Sequence, residues 1–199
     1  MSRYAVDIVL LPPDEIITKA IEFNRELVRH NPPKVELNKT NCIPHISLSM
    51  GVLQETDINP FTRDLTSLAG KHDPLQLRCK GIYAVDIPTG EKVSGIAIEN
   101  SDELYALHKD VMDLSGRYLT NDAEIAMVFS PPPVEKVTLD FINNYPRKSA
   151  YENFNPHITL GVGEMVDRGF TFEFSASTLA LFHLGNYCTC RLMMAEIQL

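Results

Sequence analysis

The chain opens on an apolar run at residues 4–11 (YAVDIVLL), rich in β-branched and aliphatic side chains, which predicts a strand. Pro12 and Pro13 end it. Pro13 suits the first turn of a helix, and Asp14 and Glu15 complement the positive end of the helix dipole. Ile16, Ile17, Ala20, Ile21, Leu27 and Val28 recur at helical spacing, so a helix is expected to stop before Asn31-Pro32-Pro33. Residues 46–53 (ISLSMGVL) alternate apolar and small polar positions, as a strand does. Ile58, Phe61, Leu65 and Leu68 place a helix over 57–70. Residues 75–87 read as a strand bent at Gly81, Thr89-Gly90 as a turn and 92–99 as the returning strand, which makes a hairpin. Asn100 with Glu103 three residues on signals a helix start, and Leu104, Leu107, Val111, Leu114 and Tyr118 continue it. After the break at Ser130-Pro131-Pro132-Pro133, Val134, Val137, Phe141 and Ile142 place a helix over 134–145. Strands follow at 157–163, 170–183 and 187–198, the last two joined by a turn at Gly185-Asn186.

Each half of the chain thus runs strand, helix, a strand opening with Pro-His-Ile-Ser/Thr-Leu, then more strand. This order predicts an α+β fold of a single domain over 1–199, bilobal and pseudo-two-fold. Two antiparallel sheets would face a central cleft with helices outside, each lobe drawn largely from one half of the chain and the boundary near 90–100.

At 44% hydrophobic and 22% charged residues, the 199-residue chain can build a packed core and is not disordered by composition. It has no apolar run long enough for a membrane-spanning helix. Asp7 interrupts the first apolar stretch, which argues against a secretory signal, so a cytoplasmic location is expected. Eighteen basic against 26 acidic residues give a net charge of −8, which argues against a long nucleic acid held by its phosphates but leaves small anions open. Four cysteines, at 42, 79, 188 and 190, lack the spacing of a zinc site and read as ordinary reduced thiols.

The informative residues are Pro44-His45-Ile46-Ser47-Leu48 and Pro156-His157-Ile158-Thr159-Leu160, one pattern used twice in a chain with six histidines. Residues i and i+2 of a strand share a face, so His45 goes with Ser47 and His157 with Thr159, while the Ile and Leu positions turn the other way. If Ile and Leu pack beneath the helices and the lobes face each other, two imidazoles and two hydroxyls converge on one cleft. Such a set suits phosphodiester chemistry. A neutral imidazole accepts a proton from the attacking water or hydroxyl, an imidazolium donates one to the leaving oxygen, and the hydroxyls hold the non-bridging oxygens. Both proton transfers are covered without a metal.

Paired H-x-[ST]-x-Φ motifs, one per half of a chain of this length, resemble the 2H phosphoesterase superfamily, which includes 2′,3′-cyclic nucleotide phosphodiesterases, 2′-5′ RNA ligase-like proteins and RNA 3′-end processing enzymes. The resemblance implies a bilobal fold with both motifs lining a groove, no cofactor, and metal-independent attack on a phosphodiester, commonly a 2′,3′-cyclic phosphate or a 2′-5′ linkage, while the acidic charge favours a small nucleotide or RNA end over a long RNA. It assigns His45 and His157 as catalytic and Ser47 and Thr159 as phosphate-binding. RNA ligase-like members often carry a basic residue soon after the second motif. Here Gly161-Val162-Gly163 follows, and the next basic residue is Arg168.

Tyr83, Tyr151, Phe154 and Tyr187 are candidates to stack on a base, although each also suits plain packing. Of these, Tyr83 and Tyr151, with His183, are the further candidate substrate contacts. Arg147-Lys148 can face a phosphate or simply solvent. His30 suits a helix end, His72 a loop and His108 a surface or boundary position. A non-catalytic module binding a nucleotide or RNA end in the same cleft is the alternative function, although a binder has no need of two proton carriers. A metal site on the two histidines is a third reading, one that lacks further ligands and that a chelator distinguishes.

Overall fold

In a computed structural model, residues 2–29, 34–87, 89–129, 133–166 and 169–199 are described. His30, Asn31-Pro32-Pro33, Ser130-Pro131-Pro132 and Arg168 lie outside the described residues. The strands are β1 (Arg3–Leu11), β2 (Ile46–Gln54), β3 (Leu75–Asp86), β4 (Lys92–Ile98), β5 (His157–Val162), β6 (Phe172–Ala176), β7 (Thr178–Leu184) and β8 (Cys190–Gln198). The helices are α1 (Asp14–Val28), α2 (Ile58–Ala69), α3 (Asp102–Ser115) and α4 (Lys136–Lys148). They assemble into two four-stranded antiparallel sheets, ordered β2-β1-β7-β8 and β5-β4-β3-β6. The two motif strands, β2 and β5, occupy corresponding edges.

Apolar alternation explains the layering. Ile46, Leu48, Ile158 and Leu160 are all fully buried in one core with Val6, Ile8 and Leu10 of β1. The same core takes Ile16, Ala20 and Ile21 of α1, Phe61 and Leu65 of α2, and Leu104, Leu107 and Val111 of α3. The helices also lace the sheets together. Helix α1 precedes β2 but packs on β5, and α3 precedes β5 but packs on β2. Helix α4 packs on β2 and contributes to the cleft.

The threading differs from the expected one lobe per half. The first sheet takes β1 and β2 from the start of the chain and β7 and β8 from its end, while the middle of the chain supplies the second. A boundary near 90–100 therefore falls inside the second sheet. The expected strand over 170–183 is two strands. β6 pairs with β3, and after Ser177 the chain crosses to pair β7 with β1. Apolar positions on both sides of Ser177 (Phe174, Ala176, Leu179 and Leu181) enter one core, so the crossing leaves no break in the hydrophobic pattern. The cap of α3 is Ser101, whose hydroxyl accepts from Leu104 N, while Asn100 reaches the Phe154 carbonyl instead. The last strand begins only at Cys190, because Tyr187 and Cys188 adopt left-handed φ angles of 56° and 54° in a tight turn. All four cysteines are free thiols.

One buried polar residue ties α1 to the second motif. Asn24, fully buried, donates to Leu160 O at 2.7 Å and Val35 O at 3.0 Å, and accepts from Leu37 N at 2.9 Å. Asn24→Ala leaves three backbone groups without their partner inside the protein. It is expected to cost about 2–4 kcal/mol, a fall in Tm of about 5–15 °C in thermal melts.

Candidate active site

Both motif strands carry the same local irregularity. In β2 the register passes from Ile8↔Ser49 to Val9↔Ser47, so Leu48 is an extra residue. In β5 it passes from Ser94↔Gly161 to Gly95↔Thr159, so Leu160 is the extra one. Such bulges re-aim side chains beside functional sites. Gly161, just past the second bulge, has φ +139°, and a Cβ there would lie 2.9 Å from Asn24 Nδ2.

His45, Ser47, His157 and Thr159 line a single cavity of about 510 Å³ between the two edges. The histidines are held alike. His45 Nδ1 lies 2.7 Å from Ile43 O and His157 Nδ1 lies 2.8 Å from Asn155 O, in each case the carbonyl two residues back. A carbonyl only accepts, so Nδ1 carries the hydrogen in both rings and Nε2 is left to exchange protons. Burial lowers the basicity of both rings. His45 falls to about 4, chiefly by desolvation and further because a proton on His157 opposes one on His45. His157 is lowered by burial too.

The surroundings of the two motifs differ. Ser47 Oγ lies 2.6 Å from Asp7 Oδ2, and His45 Nε2 lies 3.7 Å from the same oxygen. Asp7 is fully buried in the middle of β1, and burial raises its carboxyl well above the usual range. Tyr145 of α4 donates its hydroxyl to Ser47 O at 3.2 Å. On the other side Tyr83 meets His157 edge to face, ring centroids 5.9 Å apart. Gly95 permits this, since a Cβ there would sit 2.7 Å from the Tyr83 hydroxyl. The remaining walls are largely apolar, with Val35, Leu37, Val93, Val137, Phe141 and Val162 among them, and Lys148 is the lysine or arginine among the described lining residues.

Tyr83, Phe154, Tyr187 and Lys148 border the cavity. Three others do not. Tyr151 turns its hydroxyl to Asp113 at 3.1 Å. His183 is buried against Tyr4 and Phe129, with Nε2 2.8 Å from Met127 O. Arg147 is taken up by Asn144. His72 pairs with Asp110 at 3.0 Å. His108 is fully buried rather than at a boundary. Its Nδ1 donates to Leu48 O at 2.9 Å, Tyr151 N donates to its Nε2 at 2.9 Å, and its ring stacks on Phe154 at 3.8 Å. It thereby joins α3 to the first motif and to the segment preceding the second. The sequence reading passed over Asp7 and Tyr145. For Asp7 the signal was present, a carboxyl in the centre of an otherwise apolar strand.

Among the described residues one cluster has the ligand types of a metal site, Asp7, His45 and Cys190, with ligand atoms within 4.8 Å of one another. His157 is not part of it. Burial favours the protonated forms of both Asp7 and Cys190, which suits metal ligation poorly.

No protein-family model and no curated protein matches this chain. Solved structures do. TT0787 of Thermus thermophilus is 15% identical with a TM-score of 0.61, covering 98% of this chain and 97% of that one. A protein solved as a phosphoesterase is 15% identical with a TM-score of 0.57, covering 98% of each. E. coli LigT, solved with phosphate, is 13% identical with a TM-score of 0.57 over 100% of this chain and 99% of that one, and it has also been solved with 3′-AMP. The chain has the fold of these proteins.

The acid response of the molecule follows from its buried imidazoles. His45 and His108 both titrate near 4 in the fold, below the ordinary histidine value. Between about pH 6.5 and 4 the unfolded chain takes up protons that the folded one refuses, so this contribution to stability is complete above pH 6.5 and lost as pH falls. In melts from pH 7 to 4, His108→Gln is expected to lower Tm at pH 7 and to flatten the fall towards acid. An unchanged slope would contradict the assignment.

Proposed function

We propose that this chain is a metal-independent 2H phosphoesterase that opens a 2′,3′-cyclic phosphate, or cleaves a 2′-5′ linkage, on a small nucleotide or an RNA end. The observation that carries this reading is the convergence of both His–hydroxyl pairs on one cavity, each ring fixed through Nδ1. The fold shared with E. coli LigT, solved with phosphate and with 3′-AMP, supports a phosphate ester as the bound group.

The chemistry follows from the ring pair. Burial leaves both imidazoles largely neutral in the empty cleft, and a phosphate anion arriving between them favours a proton on one. A proton on His157 opposes one on His45, so a single proton is shared by the two. We assign it to His157, because burial and a charge on His157 push His45 down to about 4. His45 Nε2 then accepts the proton of the attacking water, and His157 Nε2 donates to the leaving sugar oxygen. The ester P–O bond breaks as the water oxygen bonds to phosphorus, and the pair exchanges its protonation state. Ser47 and Thr159 hold the non-bridging oxygens, and the apolar walls exclude competing water and strengthen these contacts. A cavity of about 510 Å³ with Lys148 as its described cation fits a mononucleotide or a chain terminus better than a long polyanion. Free cysteines at all four positions fit a reducing compartment such as the cytosol.

Hydrolysis of the four 2′,3′-cyclic nucleoside monophosphates in excess EDTA, followed by chromatography, tests the reading. Wild type is expected to turn over at least one, and His45→Ala and His157→Ala each to lose about 10²–10⁴-fold in kcat. Activity that survives both substitutions, or that EDTA abolishes, would contradict the mechanism. Binding without turnover of these or of 2′-5′-linked substrates would leave the cleft a recognition site only. Lys148→Ala is expected to raise KM several-fold with little change in kcat, since the lysine meets ground state and transition state alike.

A further inference from the structure

Asp7 occupies a position where an aliphatic side chain would be expected. Its chain neighbours Val6 and Ile8 are fully buried, as it is. The matching registers of the two motif strands place Val9 opposite Ser47 and Gly95 opposite Thr159, which makes Val93 the counterpart of Asp7 in the second sheet. The second sheet carries a half-buried valine there, and the carboxyl is particular to the first motif. Burying it is costly, for Oδ1 is enclosed without a hydrogen-bond partner among the described residues.

The direction of the 2.6 Å bond between Asp7 Oδ2 and Ser47 Oγ decides what the serine can do. If Asp7 is ionised, the Ser47 hydrogen points at Oδ2, and the serine turns only lone pairs towards an incoming phosphate, beside a second negative charge. If Asp7 carries a proton on Oδ2, that proton is donated to Ser47 Oγ and the serine hydrogen is free for the phosphate. We propose that Asp7 is a neutral carboxylic acid that donates to Ser47 and thereby orients the serine hydroxyl as a donor to the substrate phosphate, a positioning residue of this subsite. The proposal rests on the reading of the cavity as a phosphate site.

The surroundings favour the neutral form. Facing Asp7 are His45 of β2, Cys188 and Cys190 of the last turn and strand, and Tyr145 of α4, with no lysine or arginine beside them among the described residues. His45 Nε2 at 3.7 Å is too far for a hydrogen bond to the carboxyl. Tyr145 already donates to Ser47 O, and both thiols are held protonated by burial. An ionised Asp7 would lack compensation for its Oδ1, and desolvation accordingly raises its titration.

Calorimetric binding of inorganic phosphate at pH 6 tests this without requiring turnover. Asp7→Asn places an amide where the acid stood, a permanent neutral donor to Ser47. It is expected to bind phosphate within about threefold of wild type at pH 6, because the amide keeps the donor to Ser47. Asp7→Leu and Ser47→Ala are expected to bind about tenfold more weakly at pH 6, the loss of one oriented hydrogen bond. Thermal melts at pH 7 check that both Asp7 variants fold, with Asp7→Leu at or above wild type once the buried carboxyl is gone. Asp7→Asn as weak as Asp7→Leu, or Asp7→Leu as tight as wild type, would each overturn the proposal. Wild type that binds no phosphate would overturn the phosphate-site reading and this proposal together. Wild type that binds phosphate but turns over no phosphodiester would overturn the reaction alone, and the variants would still decide the role of Asp7.

Discussion

An imidazole exchanges protons usefully only if one nitrogen is committed and the other is free. Here a backbone carbonyl two residues before each ring makes that commitment, Ile43 O for His45 and Asn155 O for His157, at 2.7 and 2.8 Å. The contact is local to the Pro-His pair, so it forms wherever the motif enters its strand. What the rest of the fold must supply is two such strands at facing sheet edges. The orders β2-β1-β7-β8 and β5-β4-β3-β6 do this, and a bulge at Leu48 and at Leu160 repeats the same local twist on both sides. Helices α1 and α3, each packed on the motif strand of the other half, keep the two edges in fixed relation.

The symmetry stops at the level of the motifs. The first imidazole has a buried carboxyl and the Cys190 thiol beside it, both held towards their neutral forms by burial, and itself loses basicity to burial. The second lies against the edge of Tyr83, across a glycine that has no room for a Cβ. Two chemically identical groups in unlike settings take unlike proton affinities, which is what an acid–base pair requires at one pH. The largely apolar walls add to this, since hydrogen bonds and charges act more strongly where water is excluded.

Much of this was legible in the sequence. The periodicity located all four helices and nearly every strand, and the repeated Pro-His-Ile-Ser/Thr-Leu pattern picked out the four residues that share the cavity. What escaped was set by long-range pairing. The hydrophobic pattern runs through Ser177 without interruption because both strands it joins enter the same core, so one expected strand is two in different sheets. Spacing along the chain also gave no means of sorting the aromatic and histidine candidates. Tyr83 reaches the cavity through its pairing opposite Gly95, while Tyr151 and His183 are drawn off by Asp113 and by Met127 O. Asp7 was visible as an anomaly in an apolar strand, but its meaning depends on Ser47, which only the β1–β2 register brings within 2.6 Å.

The central claim is that both rings keep hydrogen on Nδ1 and that a bound phosphate brings one shared proton to an Nε2. Long-range ¹H–¹⁵N NMR of the imidazole nitrogens at neutral pH, without and then with saturating inorganic phosphate, reads this directly. The account predicts the Nδ1–H tautomer at both His45 and His157 in the free protein, and the nitrogen shifts of an imidazolium at one of the two once phosphate binds. Nε2–H tautomers in the free protein, or two rings that do not respond to bound phosphate, would contradict it.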